Sequence, residues 1–147
     1  MARTHSIALL GAACLLLAGC GGSGSSTPKY VAAGNTICAE QLTQLNRLSQ
    51  PTTPEQAVTY LPQALAIMQR ETTRLTALEL PASKRAQFQA ALAGTRQLAA
   101  VLHGVLHKLH SGVIEISAFA QVQAQSDALK AQIDAHLRQA GLARCAQ

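Results

Sequence analysis

From about Tyr30 to the C-terminus, apolar side chains recur at three- and four-residue steps, with no stretch of strict alternation, which is the period of helices buried along one face. Ile37, Cys38, Leu42, Leu45 and Leu48 predict a first helix over Tyr30 to Leu48, ended by Pro51. Thr53-Pro54-Glu55-Gln56 reads as the next helix start: Thr53 caps, Pro54 suits the first turn and Gln56 completes a capping box. The stripe Val58, Leu61, Leu65, Met68, Leu75 and Leu78 carries this second helix to about Leu80. Pro62 lies inside it and lacks the N–H that the ladder needs, so a kink or a short break is expected near Tyr60 to Leu61. The stripe resumes in phase afterwards, which favours the kink.

Pro81-Ala82 is read as a turn and Ser83 as the cap of a third helix reaching about His110, on Phe88, Leu92, Thr95, Leu98, Leu102, Leu106 and Leu109. Gly94 and Gly104 weaken that helix locally, and Ser111-Gly112 ends it. Ile116, Phe119, Val122, Leu129, Ile133 and Leu137 mark a fourth helix closing at Ala140-Gly141-Leu142, where Gly141 suits a left-handed C-cap and Leu142 its apolar contact. Four long helices with short links and no strand pattern predict an all-α, up-down-up-down four-helix bundle over residues 30–147. Composition agrees: the chain is 48% hydrophobic but only 3% aromatic and has no Trp, so Leu, Ala, Val and Ile must fill the core.

The N-terminus breaks the helical pattern. Arg3 is followed by an apolar run from Ile7 to Ala18 and by small residues at Ala18-Gly19 leading into Cys20, the layout of a secretory leader. Leu17-Ala18-Gly19-Cys20 reads as a lipobox and resembles the lipoprotein signal peptides of bacteria, which implies cleavage before Cys20 and a diacylglycerol on its thiol. The apolar run is well short of the roughly 20 residues that span a bilayer, which argues against an uncleaved anchor helix. The expected organisation is therefore a leader over 1–19, a lipidated Cys20 with a Gly/Ser tether over 20–29, and the bundle over 30–147. Such a tether reaches only about 15 Å, keeping the domain close to the extracytoplasmic face of the cell membrane.

Removing the leader also simplifies the cysteines. Cys14 leaves with it and Cys20 carries lipid, so Cys38 and Cys145 remain and allow one pairing. Outside the cytoplasm a disulfide is the default for such a pair, and no C-x-x-C spacing supports a metal or redox role. An up-down-up-down bundle places the start of its first helix and the end of its fourth at the same end, where these two cysteines fall.

The whole chain has a net charge of +5. Without Arg3 there are 11 basic and 7 acidic side chains, or +4, scattered and without aromatic interleaving, which argues against a nucleic-acid partner. No nucleophile elbow, phosphate loop, dinucleotide fingerprint or His-Glu-x-x-His is present, so no catalytic residue and no cofactor are expected. The acids of the fourth helix suit surface pairing, Asp134 with Lys130 or Arg138 and Asp127 with Lys130.

One cluster could carry chemistry. His103, His107 and His110 lie on one stripe, one position around from Leu102, Leu106 and Leu109, and a helical histidine pair can chelate Zn²⁺ or Cu²⁺ through neutral imidazoles. Residues seven apart are separated by about 10 Å along the axis, so a pair rather than all three would bind, with Glu115 the nearest acid. The stronger reading is a solvated flank, with imidazoles and Lys108 placed toward a helix C-terminus. His136 belongs near the opposite end.

Asn35-Thr36-Ile37-Cys38-Ala39-Glu40, Leu78-Glu79-Leu80-Pro81 and Gly141-Leu142-Ala143-Arg144-Cys145, together with the lipobox and tether, resemble a group of small actinobacterial lipoproteins. The resemblance implies a clasped helical bundle in the cell envelope; its motifs are structural and carry over no assigned activity, which leaves function open. The expected function is a membrane-anchored, non-catalytic binding or structural module, its partner an envelope protein or ligand. Metal binding through the histidines is one alternative. Binding of an apolar ligand or lipid in the bundle is the other, which a cavity of a few hundred Å³ would support and a tightly packed core would oppose.

Overall fold

A computed structural model describes residues 27–112 and 116–146. The expected leader, Cys20, most of the tether, and Glu115 lie outside these residues. Four helices follow in order: α1 (Lys29–Asn46), α2 (Pro54–Thr76), α3 (Ala82–His110) and α4 (Ile116–Ala140), with a terminal 3-10 turn over Ala143–Cys145. The fold is an all-α four-helix bundle.

The helix ends show where local chemistry prevailed over the apolar stripe. At α2 the Thr53 hydroxyl accepts the Gln56 N–H at 3.4 Å, while the Gln56 side-chain Oε1 accepts the Thr52 N–H at 2.8 Å, one residue upstream of the reciprocal bond of a standard capping box. Glu55 sits in this first turn, and its own backbone N–H, then the Thr53 hydroxyl, hold its carboxyl below the ordinary range. Pro62 is accommodated without a break, since α2 is continuous across it. The helix stops at Thr76 rather than Leu80, closing with tight-turn bonds from the Ala77 N–H to the Arg74 carbonyl at 3.2 Å and from the Leu78 N–H to the Leu75 carbonyl at 3.0 Å. Leu80, which Pro81 biases away from helical geometry, drops into the core at 6% exposure. Ser83 is not the cap of α3. Pro81 holds that position at φ −61° and ψ 150°, its carbonyl accepts the Lys84 N–H at 2.9 Å, and Ser83 lies inside the first turn. At α1 the helix ends at Asn46, two residues before Leu48.

The end of α4 is fully accounted for. Gly141 takes φ 89°, the Gly141 N–H reaches the Arg138 carbonyl at 3.0 Å and the Leu142 N–H the Leu137 carbonyl at 2.8 Å, the two bonds of a Schellman motif. The Lys84 ammonium donates to the Gln139 carbonyl at 2.9 Å and the Tyr30 hydroxyl to the Ala140 carbonyl at 3.2 Å. All four carbonyls that a helix C-terminus leaves without partners are therefore bonded, two of them by side chains from α1 and α3.

Leu142, fully buried, extends this lock into packing. A Cβ added at Gly34 would lie 2.5 Å from its Cδ2, so α1 presents a glycine where the leucine enters. Gly94 does the same for α3 and α4, where an added Cβ would lie 2.8 Å from Ile133 Cγ1. Around these contacts the main core gathers Ile37, Leu75, Leu80, Phe88, Leu92 and Leu137. A smaller core at the far end holds Ala57, Leu61 and Val105, with Leu102, Leu106, Leu109 and Val122 half-buried against it. Cys38 and Cys145 form a disulfide with Cα atoms 5.1 Å apart, inside the main core.

Candidate ligand groove

Helix α1 packs on α2 and on the terminal turn, and α4 packs on α3 and on the same turn, but α1 and α4 do not approach each other within 8 Å between Cα atoms among the described residues. The terminal turn and the disulfide hold the two helices at one end. Beyond that end the bundle is open on this side. The apolar stripe of α1 accordingly loses its expected partner after Cys38: Ile37 and Cys38 are buried, Leu45 is half-buried and Leu42 is 42% exposed, the large apolar side chain that stands out among the described residues.

The opening forms a groove of about 220 Å³. Its α1 wall is Gln41, Leu42 and Leu45, and its α2 wall is Met68, Glu71, Thr72 and Leu75. Ala91, Leu92, Thr95 and Leu98 of α3 contribute the floor side, and Lys130, Ile133, Asp134 and Leu137 of α4 face α1. Cys38, Cys145 and Arg144 close the clasped end. The volume exceeds the 150 Å³ or so of a dry cavity that holds benzene and falls below the roughly 300 Å³ at which drug-sized pockets begin, so it suits one short apolar segment. Three larger depressions lie elsewhere: two, of about 500 and 700 Å³, are lined mainly by polar side chains of α1, α2 and the loop between them, and one, of about 550 Å³, lies at the link between α2 and α3 around Glu79, Pro81 and Arg85.

Glu71 is the unusual group in the groove. Burial raises its carboxyl to about pKa 7, and a hydrogen bond from Gln41 opposes the rise only in part. The ion pairs among the described residues lie elsewhere, between Arg74 and Glu40 and between Lys130 and Asp134 at 2.7 Å. Arg70 donates to the Gln44 side chain at 3.0 Å. A carboxyl in this setting titrates near neutrality; Arg70 and Arg74 line a hollow beside it, but among the described residues they bond Gln44 and Glu40 rather than Glu71. The α2 stripe carried a signal of it: Met68 and Leu75 are seven residues apart, and the turn between them presents Glu71 and Thr72 to the same face.

His103, His107 and His110 are exposed on the last turns of α3, one position around from half-buried leucines. The His110 Nδ1–H donates to the Leu106 carbonyl at 2.8 Å, and no group of three or more His, Cys, Asp or Glu side chains converges to hold an ion among the described residues. His136 lies at the other end, its Nδ1 2.8 Å from the Gln87 side-chain oxygen. Asp134 pairs with Lys130, whereas Arg138 donates to the Ala146 carbonyl at 2.8 Å and Asp127 accepts from Gln123 at 3.2 Å. No protein-family model, curated protein or solved structure matches the chain. No described helix is long and apolar enough to cross a membrane.

Proposed function

We propose that the protein is a lipid-anchored module of the cell envelope whose bundle is non-catalytic and binds the apolar segment of a ligand in the groove between α1 and α4. The observation that carries this reading is the unfilled side of the bundle: Leu42, Leu45, Met68 and Ile133 line a space of about 220 Å³ that no side chain of the described residues fills. Exposing apolar surface forgoes roughly 25 cal/mol per Å² of burial, so an occupant that covers Leu42 and the half-buried Leu45 and Met68 recovers stability that the chain alone does not have.

The test is a titration of the full-length chain with 1-hexanol, followed by methyl NMR shifts. Saturable shifts confined to methyls that line the groove, among them Leu42, Leu45, Met68, Leu98 and Ile133, are expected, and Thr95→Trp, which fills the floor, is expected to abolish them. Shifts that are non-saturable, or spread evenly over exposed methyls, would sink the groove reading.

A further inference from the structure

We infer that the groove is a site for amphipathic ligands that carry an ammonium group, with Glu71 as the counter-charge. This deepens the groove reading and depends on it. The groove combines an apolar wall, Leu42, Met68 and Ile133, with one acid that is largely withdrawn from water and receives only a neutral amide from Gln41. The charged groups around it are already engaged or stand at the edge. Lys130 and Asp134 of α4 pair with each other, Arg70 and Arg74 of α2 are held by Gln44 and Glu40, and Arg144 of the terminal turn is exposed. Neither α1 nor α3 brings a titratable side chain to the groove.

A carboxylate in such a place is stabilised by a proton or by a cation, and an alkylammonium supplies the cation together with a chain for the apolar wall. The resulting N⁺–H···O⁻ bond is of the charge-assisted kind, about twice as strong as a neutral one. An alcohol offers the same chain without the charge. A fatty carboxylate brings like charge against Glu71, which disfavours it.

Hexylamine, 1-hexanol and hexanoate share one chain length and separate these chemistries. Titrated into the full-length chain at pH 8, hexylamine is expected to bind about tenfold more tightly than hexanol, equivalent to one charge-assisted hydrogen bond, with hexanoate weakest. Alkyl amines remain cationic across this range, as lysine does. The carboxyl titrates near 7, so at pH 6, where it is mostly protonated, the preference for the amine is expected to shrink to about twofold. Glu71→Gln is expected to remove the preference at both pH values while hexanol still binds, which also reports that the variant is folded. Equal binding of amine and alcohol to the unaltered chain at pH 8, tightest binding of hexanoate, or an amine preference that survives Glu71→Gln would overturn the inference and leave the groove reading standing. Absence of binding by all three probes would overturn both.

Discussion

A carboxyl group that leaves water for the wall of an apolar groove loses hydration that one amide hydrogen bond replaces only in part. Glu71 is in that position, and its raised pKa has a consequence for folding. Below about pH 4.5 the group is neutral in both the folded and the unfolded chain and contributes nothing. Between pH 4.5 and about 7 the unfolded chain loses the proton while the folded chain keeps it, so stability falls as pH rises. Above 7 both forms are ionised and the full penalty applies, up to about 3 kcal/mol at 1.36 kcal/mol per pKa unit. Glu71→Gln keeps the shape and the contact with Gln41 but cannot ionise. Urea unfolding is therefore expected to show the variant equal to the parent near pH 4.5 and more stable by one to about 3 kcal/mol at pH 8. A difference that is the same at both pH values would show that the carboxyl is not desolvated by the fold.

At the level of the helices, the legible features were those decided within a few residues of sequence. Gly141-Leu142 announced a Schellman end because only glycine takes φ 89° without strain, and Thr53-Pro54 announced the start of α2. Two remaining cysteines allowed one pairing, and the structure contains it. Ser83 misled because a serine in the first turn looks like a cap from sequence alone, whereas Pro81 had already set the extended backbone there. The groove was hidden for a different reason. Periodicity tells which side chains of α1 are apolar, and it does not tell that α4 stays beyond 8 Å, because that distance is set by the terminal turn and by Leu142 seated against Gly34. Glu71 was hidden with it, since an acid on an apolar stripe reads as a flank until its surroundings are known.

This arrangement makes the clasp the main tie between α1 and the C-terminus. The disulfide closes a separation of 107 residues, which in the chain-entropy model stabilises the fold by about 4 to 5 kcal/mol. Reduction is expected to lower the melting temperature by about 20 °C, given roughly 4 °C per kcal/mol for a domain between the 100- and 150-residue classes. Amide exchange is expected to accelerate first in α1, which keeps only α2 and the terminal turn as neighbours, and later in α3 and α4, the most extensive helix pairing. Complete reduction, verified by mass, with an unchanged melting temperature would show that packing around Leu142 holds α1 unaided.

For the whole molecule, the proposed anchor and the groove bear on each other. Tyr30 of α1 bonds Ala140 at the end of α4, so the first described helix and the last meet at the clasped end, beside the groove. A lipid on Cys20 would hold that end within the roughly 15 Å reach of the tether, and would place the groove near the headgroup layer, where amphipathic ligands concentrate. No described helix is long and apolar enough to cross a bilayer. The scattered net charge of +4 that cleavage would leave is screened within about 8 Å at physiological salt. Cys20→Ala is therefore expected to move the protein out of the detergent-soluble membrane fraction, either as a released chain or as an unprocessed precursor still carrying its leader. The bundle is indifferent to this position, so the released chain is expected to melt as the parent does and to keep the Cys38–Cys145 disulfide. A variant that is cleaved and retained in the membrane like the parent would sink the lipid anchor, and with it the reason for placing the groove at the membrane surface.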